Sequence, residues 1–262
     1  MTVGIIGCGK MGQALTEGAI RAGILSPQAL FLYDPIAEAV SSLSEKSGGT
    51  ACSSLSELCS QCDTLLICVK PAQVTEVLSC LSSPALVLSI AAGITIKQME
   101  SASPAARIIR VMPNTPALVG TGAAAYALGS GVTSEDETFT KNLLESVGIA
   151  ERVCESLMDA ITGLSGSGPA YVYTMIEALA DGGLLEGLPR EQALRLATQT
   201  VLGGAQMVAE TGLLPAELRD RVTSPGGTTI AGLAALEEGN FRSTVIKAIS
   251  RATSRSKELG QQ

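Results

Sequence analysis

The sequence predicts a doubly wound α/β domain with a mostly parallel sheet, followed by an all-helical domain. The first half of the 262-residue chain alternates short apolar runs with helical patterns, which is the rhythm of βαβ units. After about Cys154 no convincing strand pattern remains, and helical patterns punctuated by Gly and Pro dominate. We therefore place one domain at residues 1–154 and a second at residues 155–262.

Short apolar runs predict the strands of the first domain. The expected strands lie at residues 3–6, 30–33, 64–69, 85–90 and 107–111, with shorter late strands at 122–128 and 149–153. Helical patterns separate them, notably at residues 10–22, which Gly23 ends, and at residues 72–81. In such a sheet the carboxyl ends of the strands share one edge, where α/β proteins bind their ligands.

The composition excludes several classes of protein. With 46% hydrophobic residues the chain can bury a substantial core, and its net charge of −7 and 3% aromatic content argue against nucleic-acid binding. No run approaches ~18 apolar residues, so we expect no membrane span. The start of the chain lacks a signal-peptide pattern and the seven cysteines are an odd number, so we expect reduced thiols and a cytoplasmic location.

The sequence contains no histidine. A Ser-His-Asp triad, a His-ligated metal and a His acid–base catalyst are therefore excluded. Cys59 and Cys62 form a single CxxC, which could be a redox pair or half of a zinc site but is more simply two small residues of a helix. We expect no metal site.

A glycine-rich turn follows the first predicted strand and opens the first helix. It has a GxGxxG pattern that consists of Gly7, Cys8, Gly9, Lys10, Met11 and Gly12. In this context the pattern predicts a Rossmann turn that binds a dinucleotide. Gly7 permits the tight turn, Gly9 lets the backbone approach a pyrophosphate, and Gly12 allows close packing of helix and strand. The alternative is a purely structural glycine turn.

Asp34 ends the second predicted strand, 22 residues after Gly12. An acidic residue there commonly binds the ribose hydroxyls of the adenosine and repels a 2′-phosphate, so Asp34 by itself favours NADH over NADPH. Asp34-Pro35 is also a common turn dipeptide, which leaves a structural role open.

Three further loops follow predicted strands and are expected to border the cofactor. In chain order they contain Val69, Lys70 and Pro71, then Ala91, Ala92 and Gly93, and finally Asn114. Lys70 could reach a phosphate or ribose, and Asn114 the nicotinamide. A solvated lysine and a turn asparagine are the plainer alternatives.

Two glycine-rich segments precede helical patterns in the second domain. One carries Ser165, Ser167 and Gly168, and the other carries Ser224, Gly226, Gly227, Thr228 and Thr229. Both predict helix starts with free backbone N–H groups, which suit a small carboxylate of a substrate. Ordinary capping by Ser or Thr is the alternative.

A long helical pattern begins at Pro189 and ends at Gly212. Proline is tolerated at the first helical position, and glycine commonly closes a helix. The pattern is apolar nearly all round, and a helix of this kind must be buried. Since a domain of this size has little interior, we expect the helix to form a subunit interface.

Together these motifs resemble the pyrroline-5-carboxylate reductase family, over roughly residues 3–258. The shared motifs are GxGxMG, VKP, MPNTP, SGSGPAY and TSPGGTT, in that order. The resemblance implies a Rossmann domain followed by an all-helical dimerisation domain, with rings of dimers in some members. It also implies that NADPH or NADH reduces the cyclic imine 1-pyrroline-5-carboxylate to L-proline, in the cytoplasm.

The resemblance implies cofactor roles for residues of the first domain. Residues 7–12 would hold the pyrophosphate, residues 69–71 would line the cofactor, and Asn114 would lie by the nicotinamide. Many bacterial relatives carry a hydroxyl or amide with a nearby Arg at the end of the second strand and favour NADPH. Asp34 departs from that pattern and puts the preference for NADPH in doubt.

The resemblance also implies substrate roles for the second domain. Gly226, Gly227 and Thr228 would donate backbone N–H groups to the substrate carboxylate. Thr229 would be the catalytic residue, with its hydroxyl at the imine nitrogen, and Thr228 is the alternative for that role. Some relatives carry a carboxylate 17 residues before the last threonine of the motif, where this chain has Gly212.

Two other functions are compatible with a two-domain plan of this kind. A related β-hydroxyacid dehydrogenase or imine reductase is one, but β-hydroxyacid dehydrogenases typically need a lysine on the first helix of the second domain, and residues 169–180 contain none. A catalytically silent relative that only binds the cofactor is the other. The intact glycine motif around Thr229 argues against it.

Overall fold

The structure is a computed structural model and describes residues 1–81 and 84–260. It contains two compact units, one formed by residues 1–167 with the end of the chain from Ser250, the other by Gly168–Ile249. By contacts, residues 155–167 pack with the first unit. The domain boundary predicted after residue 154 stays a prediction.

An eight-stranded sheet forms the centre of the first unit. Its strands are Val3–Ile6 (β1), Leu30–Tyr33 (β2), Thr50–Ala51 (β3), Thr64–Ile67 (β4), Leu86–Ser89 (β5), Arg107–Met112 (β6), Gly122–Leu128 (β7) and Gly148–Arg152 (β8). Their spatial order is β3-β2-β1-β4-β5-β6-β7-β8, and every neighbouring pair is parallel except β6 and β7. The predicted mostly parallel, doubly wound sheet is confirmed, with its reversal of strand order between β1 and β4.

Helices accompany the strands of the first unit and build the second unit. They are Lys10–Arg21 (α1), Ala37–Ser47 (α2), Leu55–Gln61 (α3), Val74–Ser79 (α4), Ile96–Ala102 (α5), Ser134–Glu145 (α6), Met158–Ile161 (α7), Gly168–Leu185 (α8), Arg190–Thr211 (α9), Pro215–Arg221 (α10), Thr228–Glu238 (α11) and Phe241–Leu259 (α12). Among the described residues no strand occurs after β8, as predicted. In the same part of the chain, every helix is too short or too polar to cross a bilayer.

The ends of the predicted elements move only slightly. All predicted strands are present, with ends displaced by at most two residues. The sequence did not predict β3, because its two exposed residues carry no apolar pattern. The helix predicted at residues 72–81 begins instead as a 3₁₀ turn at Pro71–Gln73 and continues as α4.

The helix α9 has nearly the predicted bounds. Pro189 lies just before the first helical residue, Arg190, rather than at the first helical position as predicted. Gly212 ends the helix in the left-handed conformation, with φ of 64°. The helix thus begins one residue later than predicted. The fixed φ of proline is compatible with the capping position as well as with the first turn.

Both faces of the sheet are buried. Along β4, Leu66 packs in one hydrophobic cluster with Leu15 of α1, whereas its neighbours Leu65 and Ile67 pack in a second cluster with Val77 of α4. Side chains alternate between the two faces of a strand, so a strand covered on both sides reads as a continuous apolar run. This explains why short apolar runs predicted the central strands.

A bidentate ion pair joins β6 to α6. Arg107 donates from Nε and Nη2 to the two carboxylate oxygens of Asp136, at 2.7 and 3.0 Å. Asp136 also accepts the backbone N–H and the hydroxyl of Thr133 in the capping box that begins α6. The hydrogen bond from Arg107, acting against burial, lowers the pKa of the Asp136 carboxyl to about 2.

We expect Asp136→Asn to lower the free energy of unfolding by about 2 kcal/mol at neutral pH, because the folded state binds the ionised carboxylate of Asp136 more favourably than the unfolded state does. A carboxyl with a depressed folded pKa stabilises the fold above its unfolded value of ~4, and this contribution is lost as the pH falls through about 2. Urea unfolding in a pH series therefore measures it, and the difference between wild type and variant should shrink in acid.

The matched control is Glu135→Gln, since Glu135 is an exposed carboxylate in the same turn of α6. Its effect on the free energy of unfolding should be small. A loss for Asp136→Asn that stays constant from neutral to acidic pH would contradict the ionic explanation.

Candidate cofactor and substrate sites

The glycine turn between β1 and α1 lets the strand end and the helix start approach closely. Gly7 has φ of +100°, which favours glycine, and a side chain there would lie 2.6 Å from the carbonyl oxygen of Cys68. A side chain at Gly12 would collide with the carbonyl oxygen of Gly7. The backbone of this turn therefore requires both glycines.

Gly9 differs from the other two glycines of the turn. It is exposed, and no atom lies within 4 Å of the position that a side chain would occupy. The helix α1 begins at Lys10, with no side chain capping its first N–H groups. Lys10 is exposed and Met11 is half-buried. Open space beside uncapped donors at a helix start fits the pyrophosphate of a dinucleotide.

The thiols of Cys8 in the glycine turn and of Cys68 beside it are neutral. Burial, and next the nearby carboxylate of Asp34, raises the pKa of Cys8 to about 12. Burial likewise raises the pKa of Cys68. A thiol held in its neutral form is a poor nucleophile, so both residues serve packing.

The CxxC motif shows the same behaviour. Cys59 lies in α3 and Cys62 follows its last residue, and burial raises their pKa values to about 11 and about 12. Within residues 1–81 and 84–260, no group of three or more Cys, Asp or Glu residues is arranged to hold a metal ion. The geometry therefore favours the simpler interpretation of two packed residues.

Asp34 ties the end of β2 to the glycine turn. Its Oδ2 accepts the backbone N–H of Cys8 at 2.8 Å, and its Oδ1 accepts the backbone N–H of Ile36 at 2.9 Å. The second bond is the local turn that the Asp-Pro dipeptide predicts. The carboxylate is half-buried and lies beside the glycine turn, and its role toward a ribose stays a prediction.

The loops that follow β4 and β5 lie at the same edge of the sheet. After β4, Val69 is half-buried, whereas Lys70 and Pro71 are exposed. After β5, Ala91 and Gly93 are buried and Ala92 is half-buried. Gly93 has φ of +81°, so the loop of residues 91–93 depends on glycine for its conformation.

Asn114 is a nearly buried link between two segments of the first unit. Its Oδ1 accepts the backbone N–H of Ala123 at 2.8 Å, and its Nδ2 donates to the carbonyl of Ser165 at 3.0 Å. The sequence did not indicate this structural role. One hydrogen of the amide group remains for a further partner.

The segment around Ser165 is helical before α8 begins. A π-helical turn spans Thr162–Gly166, and the Ser167 N–H donates to the carbonyl of Thr162 at 2.8 Å. The Ser165 hydroxyl donates to the carbonyl of Ile161 at 3.2 Å. The helix α8 begins at Gly168, as predicted, but the Ser165 hydroxyl and the Ser167 N–H already have partners in the preceding π turn, and a substrate role for this segment stays a prediction. Such turns are frequent at functional sites.

The second glycine segment does form an open helix start. Gly226 has φ of +68°, and the Gly227 N–H donates to the carbonyl of Ser224 at 3.1 Å. Gly227 immediately precedes α11, and no side chain caps this helix. Thr228 and Thr229 are its first two residues, the former exposed and the latter half-buried. A capping role for Thr229 is therefore excluded.

An ion pair that the sequence did not predict lies near the carboxyl edge of the sheet. Oε1 of Glu155 accepts from Nη1 of Arg110 in β6 at 3.1 Å and from the N–H of Ile96, the first residue of α5, at 2.7 Å. The Arg110 side chain is buried. The position of Arg110 within an apolar strand could have indicated an ion pair, since a buried arginine needs an acidic partner.

Comparison with known proteins places these features in a family. Residues 155–259 match the family model described as pyrroline-5-carboxylate reductase dimerisation, and residues 2–93 match one described as NADP oxidoreductase, coenzyme F420-dependent. A pyrroline-5-carboxylate reductase of Methanosarcina acetivorans is 46% identical, over 99% of this chain and 98% of its own length. This chain belongs to the pyrroline-5-carboxylate reductase family.

Solved structures of pyrroline-5-carboxylate reductases have the same fold. One from Coxiella burnetii has a TM-score of 0.93 at 34% identity and covers 100% of this chain and 99% of its own. A pyrroline carboxylate reductase of Plasmodium falciparum, solved with NADP bound, has a TM-score of 0.88 at 37% identity and covers 99% and 98% of the two chains. This member of the pyrroline-5-carboxylate reductase family is an NAD(P)H-dependent oxidoreductase.

We expect Asp34→Ser to raise the ratio of kcat/KM for NADPH to that for NADH by about tenfold, which corresponds to relief of ~1.4 kcal/mol of charge repulsion. Initial rates with each nucleotide measure the ratio. Because Asp34 also holds the glycine turn, Asp34→Asn serves as the comparison: it keeps an acceptor for the Cys8 N–H but lacks the charge. Both variants should shift the ratio in the same direction. If neither does, Asp34 does not face the ribose.

Proposed function

We propose that this chain reduces 1-pyrroline-5-carboxylate to L-proline with NAD(P)H, as the last step of proline synthesis in the cytoplasm. The main support is the 46% identity to a pyrroline-5-carboxylate reductase, together with two features of the structure. The glycine turn fits a pyrophosphate, and the uncapped start of α11 fits a carboxylate. When bound, NAD(P)H supplies the hydride for the imine carbon.

The reaction suits a chain without histidine. A protonated cyclic imine is already electrophilic, so the protein has mainly to orient the ring, with the reacting carbon ~3–3.5 Å from the hydride donor. Residues 7–12 hold the pyrophosphate in this proposal, and Asp34 the ribose. The loops of residues 69–71 and 91–93 border the cofactor, and Asn114 uses its remaining amide hydrogen for the nicotinamide.

The start of α11 supplies the groups that we propose for the substrate. The N–H groups at the start of this helix lack a capping side chain, and together with the helix dipole they favour a bound carboxylate. Gly226, in its left-handed conformation, brings the backbone into the turn that presents them. Ser224 borders the same turn. We also assign Ser165, Ser167 and Gly168 to substrate binding, on the resemblance of their motif alone.

Thr229 is the side chain that we assign to the imine nitrogen. It stands at the second position of α11, where a half-buried hydroxyl is free of a capping role. Its hydroxyl can accept a hydrogen bond from the iminium N–H and thereby fix the orientation of the ring. Thr228, the preceding residue, is the alternative for this role.

Two other activities make different predictions in a simple assay. A β-hydroxyacid dehydrogenase would reduce oxidised nicotinamide when given a β-hydroxyacid, but α8 contains no lysine to act in that reaction. A silent relative would bind the cofactor and turn over nothing. Following reduced-nicotinamide absorbance with pyrroline-5-carboxylate, with a β-hydroxyacid and oxidised cofactor, and without substrate separates the three functions. Consumption of NAD(P)H only with pyrroline-5-carboxylate is the expected result.

The second unit leaves large apolar side chains uncovered. In α9 only Ala193 and Ala197 are buried, whereas Leu196 and Leu202 are 59% and 55% exposed. An apolar surface of this extent marks an interaction site. The match of residues 155–259 to a dimerisation family indicates self-association. We propose that α9 contributes to a dimer. Such dimers could assemble further into a ring.

We expect the protein to be an obligate dimer or a larger assembly of dimers. Light scattering of the dilute protein should give at least twice the chain mass of 26.7 kDa. Leu202→Glu should lower this mass, because it places a charge in the apolar surface of α9. Ile149→Glu is the matched control, since Ile149 is equally exposed but lies in β8 of the first unit. A stable, active monomer of the wild type would disprove the dimer.

We expect Thr229→Ala to lower turnover at saturating substrate by about ten- to a thousandfold, as does the loss of a transition-state hydrogen bond in a site shielded from water. Cofactor affinity should be unchanged, and the melting temperature should stay within a few degrees, since Thr229 caps no helix. Steady-state kinetics, nucleotide binding and thermal unfolding measure the three quantities.

Thr229→Ser retains the hydroxyl and should recover much of the turnover. Thr228→Ala is the neighbouring control. Normal turnover of Thr229→Ala together with loss in Thr228→Ala would move the assignment by one residue. Normal turnover in both would show that the backbone N–H groups and the cofactor are sufficient.

A further inference from the structure

The last turn of α12 contacts the loop that follows β5. A side chain placed on Gly93 would lie 3.5 Å from the backbone nitrogen of Gly260, and one placed on Gly260 would lie 2.9 Å from the carbonyl oxygen of Gly93. Two glycine backbones thus pack directly on each other, with no side chain between them. The end of α12 therefore reaches the loop of residues 91–93, although α12 begins far from it in the chain.

A partly buried hydrogen bond anchors this turn of α12. The hydroxyl of Ser256, the buried residue of the helix, donates to Oδ1 of Asp159 in α7 at 2.6 Å. Gly260 donates its N–H to the carbonyl of Ser256 at 3.1 Å, so the anchor lies one turn before the glycine contact. A hydrogen bond between a buried hydroxyl and a carboxylate is among the stronger ones, and it fixes where Gly260 lies.

The contacted loop is fixed at its other end as well. Gly93 is buried with φ of +81°, and the loop runs into α5, whose first N–H is held by Glu155. Residues 91–93 contribute no side chain larger than a methyl group to this arrangement. The Ala91 N–H donates to the Ser89 hydroxyl at 3.4 Å, and the backbone of Gly260 contacts the loop at Gly93. The conformation of the loop therefore depends on groups outside it, of which Gly260 is one.

We propose that Ser256 and Gly260 are positioning residues for the cofactor: the last turn of α12 holds the loop of residues 91–93 in the conformation that binds NAD(P)H. This inference rests on the proposed cofactor role of that loop. Ser256 and Gly260 act through the loop and need not touch the nucleotide. Because the contact is with the cofactor loop, its loss should weaken nucleotide binding more than it slows turnover at saturating cofactor.

Two substitutions remove the two contacts separately. Gly260→Ala brings a methyl group too close to the carbonyl oxygen of Gly93, so the loop or the helix end must shift. Ser256→Ala removes the anchor. We expect each to raise the Kd for NADPH about three- to tenfold, a range typical of a loop held less firmly rather than lost. Titration followed by nicotinamide fluorescence measures Kd, with NADH in a parallel series, and kcat at saturating nucleotide should stay near that of the wild type.

The acceptor gives a test by conservative replacement. Asp159→Ala should weaken nucleotide binding as Ser256→Ala does. Asp159→Asn keeps an acceptor oxygen for the serine hydroxyl and should bind the nucleotide nearly as the wild type does. Ser254→Ala, an exposed serine of the same helix, and Gly239→Ala, where a methyl group meets ordinary contacts of 3.4 Å or more, are the matched controls and should bind as the wild type does.

Gly9→Ala separates this inference from the proposed function. The space beside Gly9 is open, so the variant should fold normally and lose nucleotide binding through obstruction of the pyrophosphate. If the wild type fails to bind, or Gly9→Ala binds normally, the proposed cofactor cleft is wrong. If Gly9→Ala loses binding while Ser256→Ala, Asp159→Ala and Gly260→Ala keep the wild-type Kd, the positioning role is overturned, even where their melting temperatures fall. Should Gly260→Ala not fold, the Ser256 and Asp159 variants decide.

Discussion

The first unit depends on the close contact between the start of α1 and the end of β1. At Gly7 and Gly12 the strand turn and the helix meet backbone to backbone, without room for a side chain. This closeness lets Leu15 of α1 pack in the core beside the sheet. It also leaves the uncapped end of α1 at the carboxyl edge of the strands. One packing contact thus serves both the packing of α1 on the sheet and the open helix start beside Gly9.

The other loops at this edge are held by residues distant in the chain. Glu155 binds the first N–H of α5, Asn114 joins the end of β6 to the carbonyl of Ser165, and Ser256 anchors the end of α12. Each of these contacts joins a loop or a helix end to a part of the chain that is distant in sequence. The edge is therefore organised by the segment that follows β8 and by the last helix, as much as by the sheet.

Features with a local cause were predictable from the sequence. The positive φ of Gly7 requires a glycine, and the burial of β4 on both faces requires a run of apolar residues. Both features can be read directly from the sequence. The strand β3 left none, because its two residues are exposed. The pair of Glu155 with Arg110 could not be predicted, since only the fold brings the two together. Around Ser165 the sequence indicated a glycine-rich segment but not the π turn. A π turn depends on which backbone groups form hydrogen bonds, and amino-acid composition does not determine that.

The neutral thiols in and beside the glycine turn bear on how the enzyme responds to pH. Burial keeps Cys8 neutral, with a pKa of about 12, and the chain has no imidazole. No thiol or imidazole of the turn therefore changes its charge near neutrality, and none couples nucleotide binding to protons there. A bend in the pH–rate profile around neutrality would then arise outside the glycine turn. The imine nitrogen of the substrate, which is protonated to accept hydride, is one group that would produce it.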